Sequence, residues 1–184
     1  MSPTVLIAGA TGNTGVAVVE TLSKLQAANT DPILSNHRIV AHSWSADSRI
    51  AQHLASLSGV SVAEKSWVDI TPEWPVENQV ARAFIAAQAL PTHFVEESAF
   101  LVAALRVGVR YVVRISTTAA NVRPDCQAFY SRPHWALEAL LAAPKFAGMQ
   151  WTSLQPNLFS AFYFASAAEF VQGYRRTGKQ EPSG

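Results

Sequence analysis

Three glycines, Gly9, Gly12 and Gly15, stand between an apolar run, Val5-Leu6-Ile7, and a helix-forming run, Val16-Ala17-Val18-Val19-Glu20-Thr21-Leu22. Strand, glycine-rich turn and helix in that order constrain the chain more than any other feature. The spacing lets the backbone turn sharply, admit a ligand close to the main chain, and pack the new helix against the strand it left. The start of that helix offers unpaired N–H groups and a partial positive charge, which suits a pyrophosphate. Thr11, Asn13 and Thr14 add short side-chain donors around the same turn. A glycine triplet alone is also consistent with a bare structural turn; flanked by a strand and a helix, it points to dinucleotide binding.

The 184 residues suit one domain, and 49% hydrophobic against 15% charged residues describe a compact globule. The net charge of +1 gives no electrostatic basis for a nucleic-acid partner. No apolar run approaches the roughly twenty residues of a membrane span, and Met1-Ser2-Pro3-Thr4 lacks a basic region with a hydrophobic stretch behind it, so no membrane partner and a cytoplasmic location are expected. The one cysteine, Cys126, has no partner for an internal disulfide and reads as an ordinary loop residue in a reducing compartment.

Strands alternate with helices along the chain, without an internal repeat. Strands are expected at Thr4 to Ala8, His37 to Ser43, Val60 to Ala63, Val80 to Ala87, Val109 to Ser116 and Trp151 to Gln155. Helices are expected at Asn13 to Ala28, Ser48 to Leu57, His93 to Arg106, Pro133 to Ala142 and Phe159 to Arg175, with Thr71 to Pro75 as a proline-bounded loop. Six strands separated by helices imply an α/β fold with a doubly wound parallel sheet, in which ligands lie outside the carboxyl ends of the strands.

Four blocks make a more specific pattern: Gly9-Ala10-Thr11-Gly12-Asn13-Thr14-Gly15, Arg110-Tyr111-Val112-Val113-Arg114-Ile115-Ser116-Thr117, Tyr130-Ser131-Arg132-Pro133-His134-Trp135-Ala136-Leu137-Glu138, and Trp151-Thr152-Ser153-Leu154-Gln155-Pro156-Asn157-Leu158-Phe159. In sequence and order they resemble the NmrA-like family of atypical short-chain dehydrogenases. The resemblance implies a Rossmann fold that binds NADP(H) or NAD(H), over residues 1–176, followed by a polar tail over 177–184. Members of that family include reductases of quinones and phenolic compounds and non-catalytic sensors of cofactor redox state.

Departures from the family pattern leave the choice of cofactor open. Ser43-Trp44-Ser45 replaces both the arginine that would clamp a 2′-phosphate and the acid that would bind ribose hydroxyls. Trp44 either stacks on adenine or covers the sheet edge, and Arg49 either reaches a phosphate or is an exposed helix arginine. By the family register Ser66 replaces an acid near adenine, and Trp67 is the apolar residue whose backbone meets the ring. Ala87 and Gln88 leave strand four, where small side chains let a nicotinamide ribose lie against the backbone. Pro156 and Asn157 leave strand six, where Asn157 either binds the carboxamide or forms a turn.

Tyr130 and His134 are the catalytic candidates. In short-chain dehydrogenases a tyrosine and a lysine four residues later share one helical face, and the ammonium lowers the phenol pKa. Here histidine replaces lysine, and Pro133 predicts a helix start that leaves Tyr130 outside it. In the first helical turn the dipole disfavours a charged ring, so a neutral His134 is expected to contact cofactor or substrate. Glu138 shares its face and is expected to hold the ring. Ser116 and Thr117 either orient a carbonyl oxygen or cap a turn. His93 is placed near the exit of strand four, and no histidine shows metal-ligand spacing.

Relatives in the family continue well past Tyr174 with a substrate-facing lobe, so most of that lobe is expected to be absent. The aromatics Phe159, Phe162, Tyr163, Phe164, Phe170 and Tyr174 suit core packing or a homodimer surface. Two functions follow. One is an NAD(P)H-dependent reductase of a small carbonyl or quinone; the other is a dinucleotide-binding redox sensor acting through a protein partner.

Overall fold

The computed structural model describes residues 2–157 and 159–177. Six parallel strands, β1 (Thr4–Ala8), β2 (Arg38–Ser43), β3 (Val60–Glu64), β4 (Val80–Ile85), β5 (Tyr111–Ile115) and β6 (Gln150–Leu154), form one sheet in the order β3-β2-β1-β4-β5-β6. Strand order reverses between β1 and β4. At such a switch point the connections leave on opposite faces and open a crevice at the carboxyl ends.

Alternate residues of β1 explain the layering. Leu6 and Ala8 join a core with Ile85, Phe100, Leu101, Val112, Leu137 and Leu141, whereas Ile7 faces Val19, Ile39, Ala41 and Leu54. Helices α1 (Asn13–Ala27) and α3 (Arg49–Ala55) therefore cover one face, and α5 (His93–Arg106) and α6 (Ser131–Leu141) the other. A sheet buried on both faces needs apolar side chains at successive positions, as β1 has.

The structure departs from the sequence expectations at three helix starts. Pro32–Ser35 forms a short α2, because the Asp31 carboxylate accepts from Ile33 N (2.7 Å) and Leu34 N (3.2 Å). Glu73–Glu77 forms α4 inside the segment expected to be a loop, with Trp74 and Pro75 buried. Pro75 falls in its first turn, where a missing N–H costs no helical bond. Helix α6 starts at Ser131, two residues before Pro133, for the same reason. Strand β4 ends at Ile85, so Ala87 lies outside the sheet.

Helix α7 spans Ser160–Thr177, and Phe164, Phe170 and Tyr174 on it are exposed. The side chains of Phe162 and Tyr163, and the tail beyond Thr177, lie outside the described residues. Among the described residues no helix is long and apolar enough to cross a membrane.

The glycine turn is held by close backbone contacts. Gly9 has φ +75°, and a Cβ there would lie 2.1 Å from the carbonyl oxygen of Ala86; one on Gly15 would lie 2.2 Å from that of Gly9. Gly12 has an ordinary extended backbone, and its added Cβ would meet nothing closer than 3.4 Å. Two glycines thus serve the fold and one leaves space open. Gly9→Ala and Gly15→Ala are expected to lower stability by about 1–3 kcal/mol each, and Gly12→Ala by less than about 1, measured by urea unfolding.

His42, near the end of β2, is 1% exposed, and neither ring nitrogen has a hydrogen-bond partner. Trp67 and Trp74 meet it edge-on at 5.4 and 6.2 Å. Burial pushes its pKa down from 6.5 to about 4; the Lys65 backbone opposes the shift without reaching hydrogen-bond geometry. Between those values the unfolded chain binds the extra proton and the folded chain does not. Stability present above pH 6.5 is therefore lost as pH falls toward 4, by about 3 kcal/mol. His42→Leu should flatten that part of the stability-against-pH curve, as read from urea midpoints between pH 7 and 4.

Candidate functional site

A cleft of about 390 Å³ opens at the switch point. One wall is the glycine turn and start of α1, through Gly12, Asn13 and Thr14; another is the β4 exit, Ala86 to Ala89. The end of β5 contributes Ile115, Ser116 and Thr117, α6 contributes Tyr130 and His134, and Phe159 closes the side after β6. A second cavity of about 500 Å³, lined by Thr11, Asn13, Val16, Arg49, Ile50 and His53, lies on the other side of the same turn. Thr11 and Asn13 thereby connect the glycine turn with α3.

Tyr130 takes the N-cap position of α6 with helical backbone angles (φ −69°, ψ −17°), so it stands one helical turn before His134. The helix starts two residues before Pro133, and Tyr130 still lies just outside it, as expected; both residues line the cleft. His134 is not held by Glu138. Its Nδ1 is 2.9 Å from Nη2 of Arg114, and a guanidinium only donates, so Nδ1 accepts.

Burial, then the positive charge of Arg114 and the electrostatic influence of His93 beside it, lower the His134 pKa to about 4. These causes favour the neutral ring expected from the helix dipole.

Arg114 points from the middle of β5 into the sheet–helix interface and is wholly buried. Its Nε donates to Glu97 Oε1 at 2.5 Å, Nη2 to Glu97 Oε2 at 3.3 Å, and Nη1 to Ser153 Oγ at 3.1 Å. Glu97 Oε2 also accepts from His93 Nε2 at 2.7 Å. Burial alone would raise the Glu97 carboxyl, but the His93 bond and Arg114 hold it below its ordinary range.

Ser153 passes its own proton to Glu138 Oε1 at 2.7 Å, and Ser116 does the same at 2.6 Å. Gln155 donates to both Glu138 oxygens. Burial pushes the Glu138 carboxyl up, and these donors together bring it below its usual value. With its hydroxyl proton committed to Glu138, Ser116 offers the cleft an acceptor and does not polarise a carbonyl.

Other sequence candidates fall elsewhere. Ser43 folds its hydroxyl back on Ser45, donating to Ser45 O at 2.9 Å and accepting from Ser45 N at 3.2 Å, while Trp44 is half-exposed. Trp67 packs in the core against Phe100, with ring centroids 5.8 Å apart. His93 is buried behind His134 and does not line the cleft. Pro156 and Asn157 follow β6 but are not among the cleft-lining residues. The sequence reading missed Arg114 and Glu97 as site residues. Their signals were an arginine inside Val112-Val113-Arg114-Ile115 and the four-residue spacing of His93 and Glu97.

No family model matches the chain, and no curated protein matches it. Solved structures with the same fold include the NADPH-dependent quinone oxidoreductase QOR2 of Escherichia coli, complexed with NADPH, at 24% identity and TM-score 0.68; the match covers 92% of this chain and 54% of that one. The triphenylmethane reductase of Citrobacter sp., complexed with NADP(H), matches at 19% identity and TM-score 0.65, over 92% of this chain and 55% of that one. NmrA, a negative transcriptional regulator in complex with NADP, matches at 16% identity and TM-score 0.65, over 83% of this chain and 44% of that one. The chain spans about half the length of these structures. The Rossmann fold implied by the resemblance to NmrA is present.

Removing one partner of the buried pair strands the other charge away from water. Arg114→Met is expected to cost about 3–5 kcal/mol of stability, and Arg114→Met combined with Glu97→Met distinctly less, by thermal or urea unfolding.

Proposed function

We propose that the chain is an NmrA-like dinucleotide-binding protein, with the pyrophosphate on the N-terminus of α1 and the nicotinamide half in the cleft beside Ser116, Tyr130 and His134. One observation carries this reading: the three-glycine turn has no room for a side chain at Gly9 and Gly15 but is open at Gly12, on the wall of the switch-point cleft. Phosphate oxygens can approach the main-chain amides there. The neighbours of the same fold, complexed with NADPH, NADP(H) or NADP, support it.

For the adenosine end we read the cavity beside Arg49 as the seat. Arg49 supplies a cation to a 2′-phosphate that Ser43-Trp44-Ser45 does not, whereas His53 is engaged with Glu20 at 2.9 Å. For the chemistry we favour reduction of a small carbonyl or quinone by a cytoplasmic protein. A bound reduced nicotinamide would supply the hydride. Tyr130 then gives a proton to the developing alkoxide or hydroquinone oxygen, and His134 donates a hydrogen bond within the same cleft.

The redox-sensor reading draws on a different observation. The residue one turn after Tyr130 is a histidine whose pKa is lowered to about 4, which favours the neutral ring, and Arg114 behind it is paired with Glu97. The position that carries lysine in short-chain dehydrogenases thus holds no cation here.

Titration calorimetry with NADPH and NADH, followed by a quinone and aldehyde panel, separates the readings. Binding with cofactor oxidation supports the reductase; binding without oxidation of either cofactor supports the sensor; no binding refutes both. Gly12→Val is expected to abolish binding while keeping the far-UV spectrum. Arg49→Ala should weaken NADPH about tenfold and NADH little, by loss of one charge-assisted contact. Tyr130→Phe should lower turnover by about a hundredfold with affinity unchanged.

A further inference from the structure

We propose that Arg114 is a positioning residue which, braced by Glu97, locks His134 as an Nε2–H donor to the cleft, so that this wall takes a ligand atom with a free lone pair, such as a carbonyl oxygen. The ligand chemistry rests on the functional reading above; the lock itself does not.

The argument follows from where protons can go. Arg114 has no lone pair, so at 2.9 Å its Nη2 makes Nδ1 of His134 the accepting nitrogen, and the proton of the neutral ring must be on Nε2. The guanidinium cannot turn away without breaking two bonds to Glu97 and one to Ser153. Glu97 is itself fixed, because His93 Nε2 donates to its second oxygen at 2.7 Å.

The His93 ring also packs edge-on against His134, with centroids 4.7 Å apart, filling the space behind it. Among the described residues Nε2 of His134 has no hydrogen-bond partner, and the residue lines the cleft. The polar edge left for a ligand is therefore N–H. A lysine in the same place would present a mobile cation; the Arg114-backed imidazole presents one fixed neutral donor.

The groups facing His134 are Arg114 from β5, His93 and Glu97 from α5, and Glu138 on its own helix. Arg114 and His93 oppose a proton on the ring, and the two carboxylates favour one.

Long-range ¹H–¹⁵N correlation spectra of ¹⁵N-histidine-labelled, dinucleotide-free protein test the lock, with His134 identified by its absence from His134→Gln. The expected wild-type result at pH 7 is a single Nε2–H tautomer that stays neutral until the pH falls below about 5. An Nδ1–H ring, a mixture of tautomers, or protonation near pH 6.5 would overturn the proposal. In the Arg114→Met, Glu97→Met protein, which strands neither member of the pair, both tautomers should appear; the variant removes one group that opposes the ring proton and one that favours it and leaves the burial in place, so the tautomer is the readout. An unchanged tautomer there would remove Arg114 as the cause. Should the double variant not fold, the wild-type spectrum still decides: any tautomer other than Nε2–H overturns the lock. Failure of the protein to bind NADPH or NADH would defeat the functional reading and leave the tautomer result intact.

Discussion

Three stretches of main chain converge at the switch point, and their contact leaves no volume for side chains. The carbonyl of Ala86 closes on Gly9, and the carbonyl of Gly9 closes on Gly15. This contact joins β1, β4 and α1, so the direction of α1 and the cleft at the switch point depend on it. The consequence reaches beyond packing, because a helix started so abruptly exposes its first amides at the carboxyl edge of the sheet. Gly12 is the one member of the triplet not pressed by backbone, and it faces the space those amides line.

Behind the cleft lies a second constraint of another kind. Arg114, Glu97, His93 and His134 form a buried polar cluster between β5, α5 and α6, with the partly exposed Glu138 at its edge, and the hydrogen bonds within it have fixed directions. Arginine donates to Glu97, Ser153 and His134, Ser153 and Ser116 donate to Glu138, and His93 donates to Glu97. Desolvation makes such a cluster tolerable only when its charges are paired, and the pairing in turn fixes which faces are donors and which are acceptors. The cleft inherits a donor at His134 and an acceptor at Ser116 from groups it does not itself expose. The fold-sharing structures, an oxidoreductase, a reductase and a transcriptional regulator, show that the same framework serves unlike ends, so the site chemistry has to carry the functional argument.

Much of this could be read along the chain. The strand β1, the start of α1 at Asn13 and the whole of α5 were evident because apolar periodicity and glycine spacing are local properties. Pro72, Pro75 and Pro133 misled the reading of helix starts, since a proline ends a helix in its interior but is harmless in its first turn, and the sequence alone does not say which turn it is in. The pairing of Glu138 was also misjudged. Four-residue spacing placed it on the face of His134, but the hydroxyls of Ser116 and Ser153 reach it from two neighbouring strands at 2.6 and 2.7 Å.

By itself the sequence determined the alternation of strands and helices, the parallel sheet and the glycine turn, because these follow from local conformational preference and from the two- and 3.6-residue periods of apolar side chains. The tertiary structure alone decided that an arginine in an apolar strand would meet a glutamate from one helix and a histidine from another. That decision required β5, α5 and α6 to converge away from water, where an unpaired charge is too costly to keep and each hydrogen-bond donor must find its acceptor.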